Sequence, residues 1–83
     1  MMYILYALYN SRVDKIYIGQ TVDLQKRLYE HNSHAFQGYT SRFEGEWEVI
    51  YQESLPTRSE ALKREKQLKS FRGREFIKTH IPG

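Results

Sequence analysis

The stretch Lys15-Ile16-Tyr17-Ile18-Gly19-Gln20-Thr21-Val22-Asp23-Leu24-Gln25-Lys26-Arg27-Leu28 is where a strand pattern gives way to a helix pattern. Lys15 to Gly19 combines β-branched and aromatic types and stops at a glycine. Thr21 then offers an N-cap oxygen and Asp23 a negative charge for a first turn, which predicts a helix running to about Asn32. Working backward, Met2 to Tyr9 has the same strand chemistry, and Asn10, Ser11 and Asp14 between the two runs mark a turn. The opening is therefore a β-hairpin, antiparallel by necessity. Strand alternation groups Tyr3, Leu5, Ala7 and Tyr9 on one face of its first strand and Met2, Ile4, Tyr6 and Leu8 on the other. On the second strand Tyr17 and Gly19 face opposite to Ile16 and Ile18.

Working forward, Ser33 to Glu46 is a long polar, glycine-containing loop of the kind that carries function. Trp47 to Gln52 reads as a third strand. Pro56 ends that region, and Thr57 with Glu60 forms a capping box that opens a second helix to about Ser70. Gly73 interrupts it, and Arg74 to His80 forms a last short helix. The order β-β-α-β-α-α predicts an α+β fold, a small α/β sandwich of a three-stranded antiparallel sheet and three helices, as one domain over residues 1–83.

Composition narrows the function classes. Of 83 residues, 40% are hydrophobic and 14% aromatic, too many for a disordered chain and too interrupted by charge for a membrane span. A domain of this length buries only about 60% of the surface its unfolded chain exposes, so each apolar stripe is needed. There are no cysteines, which excludes a disulfide framework and a thiolate metal site. The apolar start lacks the basic residues and small-residue cleavage site of a signal peptide, and the expected location is the cytoplasm. The net charge of +3 is modest. Its distribution is not: Arg58 to Lys78 holds eight basic residues against three glutamates.

Two helices carry charge where apolar residues belong. On the first, Leu24, Leu28 and His31 share a narrow arc and Arg27 sits at its edge. Arg27 either lays its stem over the core and reaches outward, or places a guanidinium beside a site. On the second, Ala61, Leu62 and Leu68 form the stripe and Glu65 falls inside it. An inward glutamate needs a partner. The two readings are an ion pair with Arg27 and a metal ligand. Tyr6, Tyr9 and Tyr51 read as packing residues. Gly19 after Tyr17 permits close approach to the backbone at a helix start able to receive phosphate.

Tyr3-Ile4-Leu5, Ile16-Tyr17-Ile18-Gly19-Gln20-Thr21, Asp23-Leu24 to Arg27-Leu28, and Glu30-His31-Asn32 together resemble the GIY-YIG nuclease superfamily. Arg58 to Lys69 resembles its stand-alone, single-domain UvrC-like branch. The resemblance aligns Tyr3 with the tyrosine of the first motif, Tyr17 with that of the second, Arg27 with the arginine, His31 with a histidine of some members and Glu65 with the metal-binding glutamate. Tyr39, Gln20 and Asn32 become accessory positions. Two departures stand out: Met1-Met2-Tyr3 replaces Gly-Ile-Tyr, and Gln20 replaces a lysine of UvrC-type domains.

The resemblance implies the GIY-YIG fold and a metal-dependent DNA endonuclease acting in repair or recombination. One Mg²⁺ or Mn²⁺ on Glu65 is the implied cofactor, and Arg27 is suited to bridge phosphate oxygens. With a reference pKa of about 10, a tyrosine is a weak base at neutral pH without nearby positive charge. Tyr3 is the expected general base or water-orienting group and Tyr17 its companion, with the reverse assignment open; His31 holds one tyrosine or shuttles its proton. Lys26, Arg42, Lys63, Lys66 and Lys69 are the expected nucleic-acid contacts. The implied partners are DNA, branched or damaged DNA included, and a second copy or another protein that supplies specificity. The competing reading is a nucleic-acid-binding module of the same fold that does not cleave.

Overall fold

The computed structural model describes residues 2–33 and 38–82, with the Tyr39 side chain outside that description. The chain order is β1 (Tyr3–Asn10), β2 (Lys15–Thr21), α1 (Leu24–Asn32), a short 3-10 helix (Tyr39–Arg42), β3 (Glu48–Leu55), α2 (Arg58–Leu68) and α3 (Phe71–Lys78). This is the expected α+β order, with three antiparallel strands arranged β2-β1-β3.

The hairpin register follows from its turn. Asn10 pairs with Lys15, and Leu8 therefore faces Tyr17 and Tyr6 faces Gly19. Asp14 closes the turn in the left-handed region, at φ 54°, which a short polar side chain tolerates, and its carboxylate accepts the Tyr9 hydroxyl at 2.9 Å. On the other side of β1, the pairing with β3 slips by one residue between Ala7 and Leu8, a bulge at Ile50.

Because β1 is central, both its faces are covered. Leu5 and Ala7 pack with Ile18, Leu68 of α2 and Ile77 of α3. Tyr6 and Leu8 pack with Trp47, and Tyr17, Leu24, Leu28 and Phe43 close around them. The sheet is thus the middle layer, with α1 on one face and α2 with α3 on the other. At the end of α1, Asn32 clasps the start of β3 from both directions: its Nδ2 donates to the Trp47 carbonyl at 3.0 Å and its Oδ1 accepts from the Trp47 amide at 2.7 Å.

Several helix boundaries differ from the sequence expectation. Thr21 is the last residue of β2, and the α1 cap is Asp23, whose carboxylate accepts from the Lys26 amide at 3.1 Å. Thr57 caps α2 as expected, accepting from the Glu60 amide at 3.2 Å. Gly73 is not the break between α2 and α3. The chain turns at Lys69, Ser70 caps α3 by accepting from Gly73, and Gly73 sits in its first turn. A Cβ there would lie 2.3 Å from the Gln67 carbonyl, so the glycine allows α3 to start against the end of α2. Leu62, expected in the buried stripe of α2, is 45% exposed, while Ala61 and Leu68 are buried. No helix of the described residues is long and apolar enough to cross a membrane.

Candidate active site

The site grows out of the hairpin register. Tyr6 and Tyr17 project from the same face of neighbouring strands, two pairs apart in the register, and their ring centroids lie 6.2 Å from each other. Gly19 stands opposite Tyr6, and a Cβ on it would come within 2.9 Å of the Tyr6 hydroxyl and 3.0 Å of Tyr17 Cε1. The glycine expected to admit phosphate instead admits the two phenols.

From the helix above, His31 drops between them. Its ring is fully buried, 4.9 Å from the Tyr17 centroid and 6.1 Å from that of Tyr6. Its Nε2 lies 3.2 Å from the Tyr6 hydroxyl and its Nδ1 lies 2.6 Å from the Thr40 hydroxyl. Thr40 and Tyr6 thus bracket the imidazole along one buried line, from the 3-10 helix to the central strand. Burial first, and then the positive charge of Arg27, lower the His31 pKa from 6.5 to about 4, so the imidazole is neutral at pH 7. A neutral ring has one donor and one acceptor nitrogen, which matches a line with a hydroxyl at each end.

The charges of the site meet at Tyr6. Burial raises its pKa well above the usual phenol range, Tyr17 and Glu65 add to the rise, and Arg27 opposes it. Arg27 forms an ion pair with Glu30 at 3.6 Å, and Glu65 one with Lys69 at 2.7 Å. Of the two readings of Glu65, the ion pair with Arg27 is not formed: Arg27 pairs within α1 and Glu65 with Lys69 at the C-terminal end of α2. Glu65 is inward-facing, with its side chain 21% exposed. Among the described residues, no three His, Cys, Asp or Glu side chains converge as a metal cage. The donor set fits an ion of the Mg²⁺ type, which is often bound through one carboxylate, retained waters and substrate phosphate.

The structure sets Tyr17 and His31 directly against Tyr6, with the charges of Arg27 and Glu65 near enough to act on its hydroxyl, and it leaves Tyr3 out. Tyr3 pairs with Leu55 near the start of β1, on the face shared by Leu5 and Ala7, across the sheet from Tyr17. Tyr6, read from sequence as a packing residue, holds the position assigned to Tyr3. The signal was available: a turn joining Asn10 to Lys15 forces even-numbered residues of β1 onto the Tyr17 face. Thr40 was missed because nothing local marks a loop hydroxyl as a histidine partner.

The accessory positions fare differently. Asn32 is spent on the Trp47 clasp. Gln20 pairs with Leu5, one residue out of phase with Tyr17 and Gly19. The Tyr39 side chain lies outside the described residues. The expected nucleic-acid contacts divide between layers: Lys26 is exposed on α1, Arg42 on the 3-10 helix, and Lys63, Lys66 and Lys69 on α2.

A strand hairpin presenting two tyrosines to a histidine and arginine of the next helix, with a glutamate from α2, defines a nuclease-type domain. Residues 2–77 match the family model of the GIY-YIG catalytic domain, and the chain belongs to that family. Over 63 residues it is 36% identical to a UPF0213 protein of Staphylococcus saprophyticus, covering 76% of each chain. A UPF0213 protein of Haloquadratum walsbyi is 36% identical over 58 residues, 70% of this chain and 64% of that one. The solution NMR structure of a UPF0213 protein from Bacillus halodurans superposes with a TM-score of 0.56 at 25% identity, covering 95% of this chain and 84% of that one.

Proposed function

We propose that the chain is a metal-dependent DNA endonuclease that hydrolyses phosphodiester bonds, in processes such as repair or recombination that require a strand to be cut. The observation that supports this most is the Thr40–His31–Tyr6 line ending beside Tyr17, in reach of the charges of Arg27 and Glu65.

Tyr6 is the group that takes a proton from the attacking water. At pH 7 an ordinary phenol is ionised in only about one molecule in a thousand, and Tyr6 is less acidic than ordinary. It therefore needs somewhere to send its own proton. His31 supplies it: with its Nδ1–H donating to Thr40, the Nε2 lone pair accepts the Tyr6 proton as Tyr6 receives one from water. Arg27 binds the phosphate oxygens, and as the cation that favours the Tyr6 phenolate it links substrate binding to base strength. Tyr17 orients the water or a phosphate oxygen. Glu65 would hold the divalent ion, which when bound supplies positive charge to the phosphate and the leaving 3′ oxygen.

One observation favours a module that binds without cleaving: Lys69 already neutralises Glu65. The two readings separate on incubation of the purified chain with duplex, branched and single-stranded DNA, with Mg²⁺, Mn²⁺ or a chelator, beside Glu65→Ala and Arg27→Ala. Cleavage that needs metal and is lost in both variants supports the nuclease. Binding without cleavage under every metal sinks it, and cleavage that survives Glu65→Ala identifies a contaminant.

A further inference from the structure

A groove of about 790 Å³ runs along β2 on the side of the sheet covered by α2 and α3. Its apolar lining is Ile16, Ile18 and Ile81, and three cations reach it from two helices: Lys69 at the end of α2, Arg74 and Lys78 on α3. Lys15 contributes its strand more than its charge, since its ammonium lies 6.0 Å from the Phe43 ring centroid. The acid of the lining, Asp14, accepts the Tyr9 hydroxyl. Lys78 is paired with Glu75 at 3.1 Å, an exposed ion pair of a kind that contributes little and exchanges readily for another anion, while Lys69 reaches the groove from its pair with half-buried Glu65.

The size lies within the range of sites for small organic ligands, and a bare phosphate would leave the isoleucine floor unused. The lining asks for an anion joined to a flat apolar body, the description of a nucleotide. Two residues tie the groove to the catalytic cluster. Tyr17 belongs to both, and Lys69 spans from the groove to Glu65. A DNA strand whose scissile phosphate lies at Tyr6 and Arg27 reaches the groove by passing round the free edge of β2 at Tyr17, from the α1 face of the sheet to the α2 and α3 face. In a paired duplex the bases are stacked and unavailable to such a floor; an unpaired base is not.

We propose that the groove holds an unpaired nucleotide next to the scissile phosphate, its phosphate on Lys69, Arg74 and Lys78 and its base on half-buried Ile16 and Ile81, with buried Ile18 beneath them. This rests on the nuclease reading and adds the substrate class, DNA with an unpaired segment at the cut. An acidic extended peptide added to the edge of β2 would meet the same cations, but it gives no role to the continuity with Tyr17 and Glu65.

The test is fluorescence anisotropy with the wild-type chain in chelator, using a short labelled single strand, the matching duplex and an acidic peptide. The single strand should bind more tightly than the duplex. Arg74→Ala/Lys78→Ala should weaken it about fivefold to tenfold and reduce the log–log salt slope by about 1.4, two phosphate contacts in single strands. Ile81→Ala should weaken the single strand about threefold and leave the duplex unchanged. Lys78→Glu, at a position whose side chain is 60% exposed, repeats the charge test should the double variant not fold, with circular dichroism as the check. Unchanged binding in the charge variants, equal affinity for duplex and single strand, or preference for the peptide would each overturn the proposal. Metal-dependent cleavage with unchanged variant binding removes the groove and keeps the nuclease. Groove binding without cleavage overturns the proposal as a cleavage subsite and the nuclease reading with it, leaving a nucleotide-binding surface.

Discussion

The Tyr6 hydroxyl lies 3.2 Å from His31 Nε2, while Tyr3, three residues earlier, lies on the opposite face of the sheet. Tyr6→Phe deletes the hydroxyl and keeps the ring, so it should lower single-turnover DNA cleavage by about 10²- to 10⁴-fold, the span of general acid–base catalysis. Tyr3→Phe should stay within about twofold of wild type by the same measure, since a group that does not touch the reacting atoms removes none of that span. Equal losses in the two variants would contradict the assignment.

Gly19→Ala tests the packing beneath the two phenols. The added methyl would sit 2.9 Å from the Tyr6 hydroxyl, against a wall of aromatic carbon, and should destabilise the fold by about 1–3 kcal/mol in urea titrations. Removing that hydroxyl in Gly19→Ala/Tyr6→Phe should recover part of the loss. Additive effects would mean that the clash is relieved elsewhere.

His31 gives stability a pH dependence of known sign. Its folded pKa, about 4, lies below its ordinary 6.5, so between these values the unfolded chain binds the extra proton. The contribution is fully present above about pH 6.5 and is lost as pH falls toward 4. Denaturation midpoints at pH 7, 5.5 and 4.5 should therefore decline for wild type and decline less for His31→Gln. A parallel decline in both would assign the effect to carboxylates instead.

Asn32→Ala should act on stability. It removes two hydrogen bonds to the backbone of buried Trp47, and should cost about 1–3 kcal/mol, read as a lower melting temperature. Turnover measured well below that temperature should be near wild type. A folded variant that binds DNA but does not cleave would return Asn32 to the chemistry.

Much of this was legible locally. The turn at Asn10 to Asp14, the Thr57 cap and the apolar arc of Leu24, Leu28 and His31 each depend on residues within a turn or two of one another. Other boundaries were misread for local reasons too. Asp23 outcompeted Thr21 as the α1 cap because Thr21 was still bound in the β1–β2 ladder. Gly73 looked like a helix breaker, yet its missing side chain serves a contact with the preceding helix that sequence spacing does not reveal.

By itself, the sequence determined the element order and the residue types of the candidate site: two strand tyrosines, an arginine and histidine one turn apart on α1, and an inward glutamate on α2. Periodicity fixes which way a side chain leaves its own element, and motif residues fix the types. Only the tertiary structure decided which β1 tyrosine lies beside His31 and Tyr17. That choice depends on hairpin register, and a one-residue difference in phase moves a side chain through the sheet. The Glu65–Lys69 pair, the Thr40 hydroxyl behind His31 and the groove along β2 were likewise decided by packing between elements, where nearness in space is independent of distance along the chain.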